Sequence, residues 1–212
     1  MDPLISLELR WFLDGEILPH LSTWFHEHLP GNHVGPPEKR DDVYLYLPKV
    51  EDIGVKLRQG KLEIKWRQLA RPYRGPHGAA GQVERWIKWD WNDPEGAPLQ
   101  NIKTFQSPLG PWIIVEKSRW QRKYLWASGN FRPAPKSDRL KSGAAVEIAG
   151  LKLHGNSYTT MLIETFAPDQ RAQEEILDAA VAYFLHHLPM PLPASWESYG
   201  YPQWLGKREV SA

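Results

Sequence analysis

The stretch GVKLRQGKLEIKWRQ, residues 54–68, predicts two short strands folded back on each other. Successive side chains of a strand point to opposite faces, so this hairpin has one apolar face and one charged face. The apolar face carries Val55, Leu57, Leu62, Ile64 and Trp66, and the charged face carries Lys56, Arg58, Glu63, Lys65 and Arg67. A one-sided antiparallel sheet leaves its charges in water. A sheet closed around those charges is the alternative, and the two arrangements imply different functions.

Composition limits the class of protein. With 212 residues, 42% of them hydrophobic, the chain is long enough for one domain with a substantial core. The 26 basic and 25 acidic side chains nearly cancel, so any basic site must be local rather than a property of the whole surface. The absence of cysteine excludes disulfides, thiolate metal sites and cysteine nucleophiles, and it fits a reducing compartment.

Nothing in the sequence predicts membrane insertion or export. The start of the chain, MDPLISLELRWF, has neither a basic region nor a continuous apolar run of the kind that forms a signal peptide. No uninterrupted apolar span is long enough to cross a bilayer. We therefore expect a soluble, cytoplasmic protein without a membrane partner.

Alternating patterns predict about eight or nine antiparallel strands, which favours a barrel or sandwich. The segment 111–127 fits either one long bent strand or two strands. Residues 30–41 and 128–143 are rich in Pro, Gly and charge, and we expect both to be loops, with Lys39 and Arg40 as solvent-exposed cations.

Two helical segments bear on the question of which strand face is inside. The first lies in DGEILPHLSTWFHEHLPG, residues 14–31, where Leu18, Leu21, Trp24, Phe25 and Leu29 recur at roughly helical spacing. Residues 168–187 carry an apolar stripe made of Ile176, Leu177, Ala180, Val181, Phe184 and Leu185. The aromatic tail 188–207 is too apolar to lie free of the domain. If apolar strand faces point outward, helices are needed to cover them, including the face with Leu57, Ile64 and Trp66. The same helices could instead cap an open barrel end.

Basic residues recur two apart in three strands, as Lys56 and Arg58, Lys65 and Arg67, then Lys117 and Arg119. This spacing places both members of a pair on one strand face. Carboxylates occupy comparable strand positions, namely Glu8, Glu63, Glu84, Glu147 and Glu164. A solvated sheet face with weak cross-strand pairs is the ordinary interpretation of such a pattern.

Taken in order, these motifs resemble the CYTH, or triphosphate tunnel metalloenzyme, superfamily. That family opens with E-x-E-x-K, continues with alternate basic residues and a late E-x-E strand, and closes with an aromatic segment like ESYGYPQWL (197–205). Glu8 and Arg10 match the opening motif, but Ser6 replaces its first glutamate. Glu164 matches the late motif, but Leu162 replaces its partner.

The resemblance implies a mainly β (α+β) fold: one domain over residues 1–212, built as an antiparallel eight-stranded barrel or tunnel with helices packed outside. It also implies a phosphate-binding set and a metal-binding set inside the tunnel. The phosphate-binding set is Arg10, Lys56, Arg58, Lys65, Arg67, Lys117 and Arg119. The carboxylates that would hold Mg²⁺ or Mn²⁺ are Glu8, Glu147 and Glu164.

Three functional hypotheses stay open. The first is an anion-binding tunnel with divergent, metal-dependent triphosphate hydrolysis, in which the missing acids at Ser6 and Leu162 make metal binding weak, because hard cations need several oxygen ligands. The second is a non-catalytic barrel for an organic phosphate or other anion. The third is a barrel for an apolar ligand, which requires the apolar faces inside. The expected partner is a small phosphorylated molecule, and nucleic acid is expected only as a 5′-triphosphate end.

Overall fold

A computed structural model of the chain describes residues 3–92, 111–186, 188, 192 and 196–209. In this part of the chain ten strands and three helices are present. The strands are β1 (Leu4–Asp14), β2 (Glu38–Leu45), β3 (Ile53–Arg58), β4 (Lys61–Arg74), β5 (Ala80–Asn92), β6 (Trp112–Ala127), β7 (Asn130–Ala134), β8 (Gly143–Leu153), β9 (Asn156–Phe166) and β10 (Glu197–Ser198). The helices are α1 (Pro19–Thr23), which continues into a π-helical turn at Trp24–His28, α2 (Gln170–Leu185) and α3 (Tyr201–Glu209).

Eight of the strands close into an antiparallel barrel. Their order is β1-β5-β4-β3-β2-β6-β8-β9, and β9 pairs back onto β1. The short strands β7 and β10 extend β6 and β1 respectively. Each barrel strand therefore has two neighbours and leaves no free edge. The predicted fold class, a mainly β protein built on an eight-stranded antiparallel barrel, is confirmed.

The hairpin of β3 and β4 places its charges inside the barrel. It turns at Gln59 and Gly60, whose φ angles of 49° and 74° fit the strand twist of a two-residue hairpin. Glu63, on the charged face, is 1% exposed, whereas Trp66, on the apolar face, is 44% exposed. The interior of the barrel is thus polar at this hairpin, and the apolar face is outside.

Helix α2 covers the outer face of the wall formed by β1, β8 and β9. It begins after Asp169, whose carboxylate accepts a hydrogen bond from the Ala172 amide at 2.9 Å. Its apolar stripe packs on the outward side chains of that wall, and the buried members of the cluster include Leu7, Leu9, Val146, Ile148, Ile163, Ile176, Leu177, Val181 and Phe184. Burial of this stripe explains why an outward apolar wall is stable in water.

Helix α3 fills one end of the barrel. The indole of Trp204 stacks on the inward ring of Phe12, with centroids 5.2 Å apart and planes at 7°. Leu151, Leu153 and Tyr158 complete this second buried cluster. The aromatic tail thus packs into the barrel itself, and the interior is blocked at this end.

Three local expectations differ from the structure. Residues 38–41 belong to β2 and residues 130–134 form β7, although both were expected in loops. Residues 112–127 form one continuous strand, which is one of the two alternatives that the sequence left open. Segment β2 is a strand because it pairs with β3 and β6 and its acidic side chains find partners there: Asp42 lies 3.5 Å from Lys56 Nζ on β3, and Glu38 lies 2.7 Å from Arg119 Nη2 on β6. The expectation of helical cover over Trp66 is also wrong, since nearly half of that side chain is exposed.

Among the described residues, no helix combines the length and apolar character needed to span a bilayer.

Candidate functional site

A cavity of about 350 Å³ lies inside the barrel, next to the layer closed by α3. Side chains near that layer are almost fully buried, as for Glu147 at 3% exposure. Side chains at the opposite end are far more accessible, and Lys136 is 50% exposed. The cavity therefore has a floor made by the chain's own C-terminal segment and a mouth at the other end.

Cations dominate the cavity wall. Its ten basic residues are Arg10, Arg40, Lys56, Arg58, Lys65, Lys88, Lys117, Arg119, Lys123 and Lys136, against the four carboxylates Glu8, Glu63, Glu147 and Glu164. Three further carboxylates, Glu38, Asp42 and Asp90, contact lining cations from outside the cavity. Within the described part of the chain, cations still exceed carboxylates by three.

The deepest charges gather around Glu147 of β8. Lys117 Nζ lies 2.8 Å from one of its oxygens and Arg119 Nη1 lies 3.3 Å from the other, while Arg10 Nη1 lies 3.5 Å away. Burial alone would raise the pKa of the Glu147 carboxyl, but these three cations outweigh burial and hold that pKa well below its usual range. Glu147 is therefore ionised and already fully engaged.

The carboxylate of Glu8 on β1 is engaged in a similar way. It accepts a hydrogen bond from Lys65 and lies 3.6 Å from Arg10 Nη2. Arg10 thus bridges Glu8 and Glu147, whose negative charges would otherwise repel each other. Burial opposes ionisation of Glu8, yet Lys65 and Arg10 lower its pKa.

A second group of charges lies on the wall of β2, β3, β4 and β5. Lys56 Nζ is 3.1 Å from Glu63 and 3.5 Å from Asp42, and Arg58 also contacts Glu63. Burial would raise the pKa of Asp42, but the surrounding cations, Lys56 foremost, lower it to about 2. The wall is thus a network of alternating charges in which the cations outnumber their partners.

Lys56 and Lys117 are largely buried ammonium groups that their carboxylate partners compensate only in part. Burial is the main cause that lowers the pKa of each ammonium to about 8, and the nearby carboxylates only partly oppose it. A buried ammonium with too few counter-charges is costly. A bound anion would supply the missing charge.

The floor of the cavity is aromatic. The hydroxyl of Tyr201 accepts a hydrogen bond from Lys117 Nζ at 3.1 Å, and the guanidinium of Arg10 lies 4.8 Å from the centre of the same ring. The ring of Tyr44 stacks on Tyr201 at 5.2 Å. Gly200 lets the chain pass this point, because a Cβ there would lie 2.6 Å from a Glu84 oxygen. Tyr201 thus contacts both Lys117 and Arg10 and helps to hold these two cations at the cavity.

Most of the predicted phosphate-binding residues come together here. The lining includes Arg10, Lys56, Arg58, Lys65, Lys117 and Arg119. Arg67 shares their strand face but is not part of the lining, because its guanidinium donates to Glu84 at 2.6 Å. Six of these seven side chains thus line the cavity.

The predicted metal ligands line the same cavity without forming a metal centre. Glu8, Glu147 and Glu164 all face it, but Glu8 and Glu147 are already bound by lysine and arginine. Within the described ranges, three or more Asp, Glu, His or Cys side chains are nowhere arranged to hold an ion. This donor set does not fit Mg²⁺ or Mn²⁺, which need several free oxygen ligands.

Sequence patterns missed four cations of the cavity wall, Arg40, Lys88, Lys123 and Lys136, and they also missed Tyr201 on its floor. Arg40 follows a proline-rich segment and was expected to lie in solvent, but its side chain is 3% exposed. Lys88 alternates with inward Trp86 and Glu84, so the mixed pattern gave no charge signal. Lys136 and Tyr201 do not lie on barrel strands, so only contacts between distant segments bring them to the cavity.

A scan against protein-family models finds no match for this chain, and a search of curated proteins finds no significant match.

Proposed function

We propose that this protein binds a small phosphate-rich anion, a triphosphate or an organic phosphate, in the cationic cavity of the barrel. The excess of lining cations over carboxylates carries the proposal. Like charges confined in a partly desolvated space repel each other strongly unless an opposite charge compensates them. A phosphate chain carries several negative charges and many acceptor oxygens on one small molecule, which suits a cluster of Lys and Arg donors.

The mix of donors also supports this ligand class. Arginine presents a planar fork that suits two oxygens of one phosphoryl group, and lysine presents a compact charge that suits a single oxygen. Arg119 retains an Nε with no partner in the described structure, at a buried position beside the cavity. An anion with several oxygens would satisfy such donors.

A barrel for an apolar ligand is the less favoured alternative. It requires the apolar face of the β3–β4 hairpin to line the interior, and that face is outside. An organic group attached to the phosphates could still contact Trp86, Leu4 and Leu162, which lie on the same cavity wall.

Binding is favoured over hydrolysis. The resemblance to triphosphate tunnel enzymes suggests a metal-dependent phosphohydrolase, but the two acids missing at Ser6 and Leu162 and the engaged carboxylates argue against a metal-activated water. A phosphate-release assay with Mg²⁺ or Mn²⁺ across several triphosphates separates the two functions. We expect no metal-dependent release above background, and turnover that depends on Glu147 would establish an enzyme.

Thermal unfolding with tripolyphosphate tests the proposal. A ligand that binds only the folded protein stabilises it by RT ln(1 + [L]/Kd), about 2.7 kcal/mol at a hundredfold excess over Kd. We expect a rise in the unfolding temperature that increases with ligand concentration and shrinks with added salt, since salt screens the interaction. An unchanged unfolding temperature over the whole titration would refute the proposal.

A further inference from the structure

The carboxylate of Glu38, at the start of β2, gathers three cations from three separate segments. One oxygen lies 2.5 Å from Arg40 Nη1. The other oxygen lies 2.7 Å from Arg119 Nη2 on β6 and 2.5 Å from Lys136 Nζ, in the segment after β7. Only Glu38 and Arg40 are near each other in the sequence, and the anion-binding proposal uses Glu38 only as a counter-charge.

Glu38 lies outside the cavity lining, whereas its three cationic partners, Arg40, Arg119 and Lys136, are part of that lining. An anion in the cavity can therefore contact the side of each cation that faces the cavity, without displacing the Glu38 carboxylate. Burial would raise the pKa of the Glu38 carboxyl, but hydrogen bonds from Lys136 and Arg119 lower it far below its usual range. The carboxylate is ionised at every pH at which the protein is expected to work.

Lys136 depends on this contact more than the two arginines do. Arg40 is also held by Asp42 at 2.9 Å, and Arg119 is also held by Glu147 at 3.3 Å. Lys136 lies outside any strand or helix and its side chain is half exposed. A free lysine side chain in such a segment loses considerable rotamer entropy when it is fixed in one position. Contact with Glu38 provides that fixation before a ligand arrives.

We propose that Glu38 is a positioning residue for anion binding, which assembles Arg40, Arg119 and Lys136 into one preorganised cationic surface at the cavity mouth. This inference rests on the proposed function of the cavity. Preorganisation raises affinity because the cost of ordering the cations is met during folding rather than during binding. Outer partners of a binding site typically contribute in this indirect way.

Charge and positioning predict opposite effects of the same substitution. Glu38→Gln removes a negative charge near the cavity, so simple electrostatics predicts tighter binding of an anion. Loss of positioning predicts weaker binding, because the amide does not hold three cations. Glu38→Asp leaves the charge unchanged but shortens the reach, so only the positioning role predicts an effect there.

Calorimetric titration of the variants with tripolyphosphate decides between these effects. We expect Glu38→Gln to weaken binding about tenfold and Glu38→Asp to weaken it by a smaller factor. Glu116→Gln is the matched control, since Glu116 is an exposed residue of β6 and the change in net charge is identical; we expect its affinity to match that of the unmodified protein. Equal or tighter binding by both Glu38 variants would overturn the positioning role.

A second measurement reads the position of Lys136 without any ligand. We expect its acetylation by acetic anhydride, followed by mass spectrometry, to be several-fold faster in Glu38→Gln than in the unmodified protein. Lys39, exposed on the same strand as Glu38, should react equally in both. If the unmodified protein binds no phosphate anion, the proposed function fails, and with it the binding role of Glu38, whatever the acetylation rates. If that protein binds but Lys136 reacts equally in both proteins, only the role of Glu38 is wrong.

Discussion

The two ends of the barrel interior differ in what occupies the space between the inward side chains. At one end, inward side chains such as Phe12 and Leu153 are apolar, and the chain fills the space with its own Trp204. At the other end, inward side chains are charged, and ten cations face a cavity of about 350 Å³. Both ends are built on the same strands, and they differ in the side chains at inward positions and in the helix α3 that packs into the apolar end.

This contrast separates packing from binding. Aromatic rings close the first end because buried apolar surface and ring stacking stabilise it without any ligand. The second end gains nothing comparable, because burial of unbalanced charge is costly. A bound anion would offset the cost of burying this excess positive charge. The charged end is therefore the candidate binding site.

The largest expected effect comes from the aromatic end. Trp204→Ala removes a fully buried indole and its stack on Phe12, and we expect a loss of about 3 to 5 kcal/mol in the free energy of unfolding. Trp66→Ala is the control on the exposed outer face, with an expected loss of about 1 kcal/mol. Urea denaturation measures both. Similar losses would show that the aromatic end is not a packed core.

At the charged end, the largest effect should come from Glu147→Gln. The substitution leaves Arg10, Lys117 and Arg119 without their shared counter-charge, and we expect unfolding to become easier by about 3 kcal/mol. Tripolyphosphate should restore part of this loss, since it provides negative charge at the same place. The same titration on Glu116→Gln, which changes net charge alone, controls for global effects. A variant as stable as the unmodified protein would show that these cations are not electrostatically stressed.

A smaller effect should follow pH. The pKa of Lys56 and of Lys117 is about 8 in the folded protein, below the usual 10.5, so both lose their protons as the pH rises through 8 while the unfolded chain keeps them. These two groups therefore make the free energy of unfolding rise with pH between about 8 and 10.5, where the unfolded chain binds more protons than the folded protein. Anion binding should change in the opposite direction, because two cations are lost.

Sulfate is the suitable probe for this pH effect, since its charge is constant over the range. We expect its Kd to rise about fivefold between pH 7 and pH 9, on either side of the pKa of about 8. The free energy of unfolding without sulfate, measured with urea at both pH values, should rise over the same interval. Sulfate affinity that is flat or increases with pH would contradict the assignment of these lysines as ligand-binding cations.

Metal binding should give the smallest effect. Glu8 and Glu147 are occupied by cations, so we expect Mg²⁺ to bind poorly to the free protein in calorimetric titrations. The double substitution Ser6→Glu with Leu162→Glu adds two inward carboxylates, and Leu162 is paired with Glu147 across β8 and β9. Metal affinity should rise in this variant. Tight binding of Mg²⁺ by the unmodified protein would show that the cavity resembles a metal centre more closely than its contacts indicate.

Sequence patterns predicted the structure correctly where a property repeats regularly along one strand or helix. Alternation in residues 54–68 determined which residues share a face, and the apolar stripe of α2 predicted a helix that covers the outside. The inward direction of the charges needed more than alternation, because a solvated sheet face has the same pattern. Outer helices and the family resemblance were the only sequence features that favoured the correct direction.

The remaining features depend on contacts between distant segments. Arg40 is inside because Asp42 and Glu38 lie on the same strand face and β6 closes over them, so a segment that resembles a loop becomes a strand. Tyr201 belongs to the cavity because β10 pairs with β1 and leads the chain into the barrel end. Local propensity carries no information about such pairings.

The affinity of tripolyphosphate for Arg119→Ala and Arg132→Ala tests the central claim most directly. Arg119 lines the cavity, whereas Arg132 is exposed on β7, and both substitutions remove one arginine. In calorimetric titrations at constant ionic strength, we predict that Arg119→Ala weakens binding about tenfold or more and that Arg132→Ala leaves it unchanged. Equal loss in both variants, or binding that neither one affects, would contradict the claim that the barrel interior is the anion-binding site.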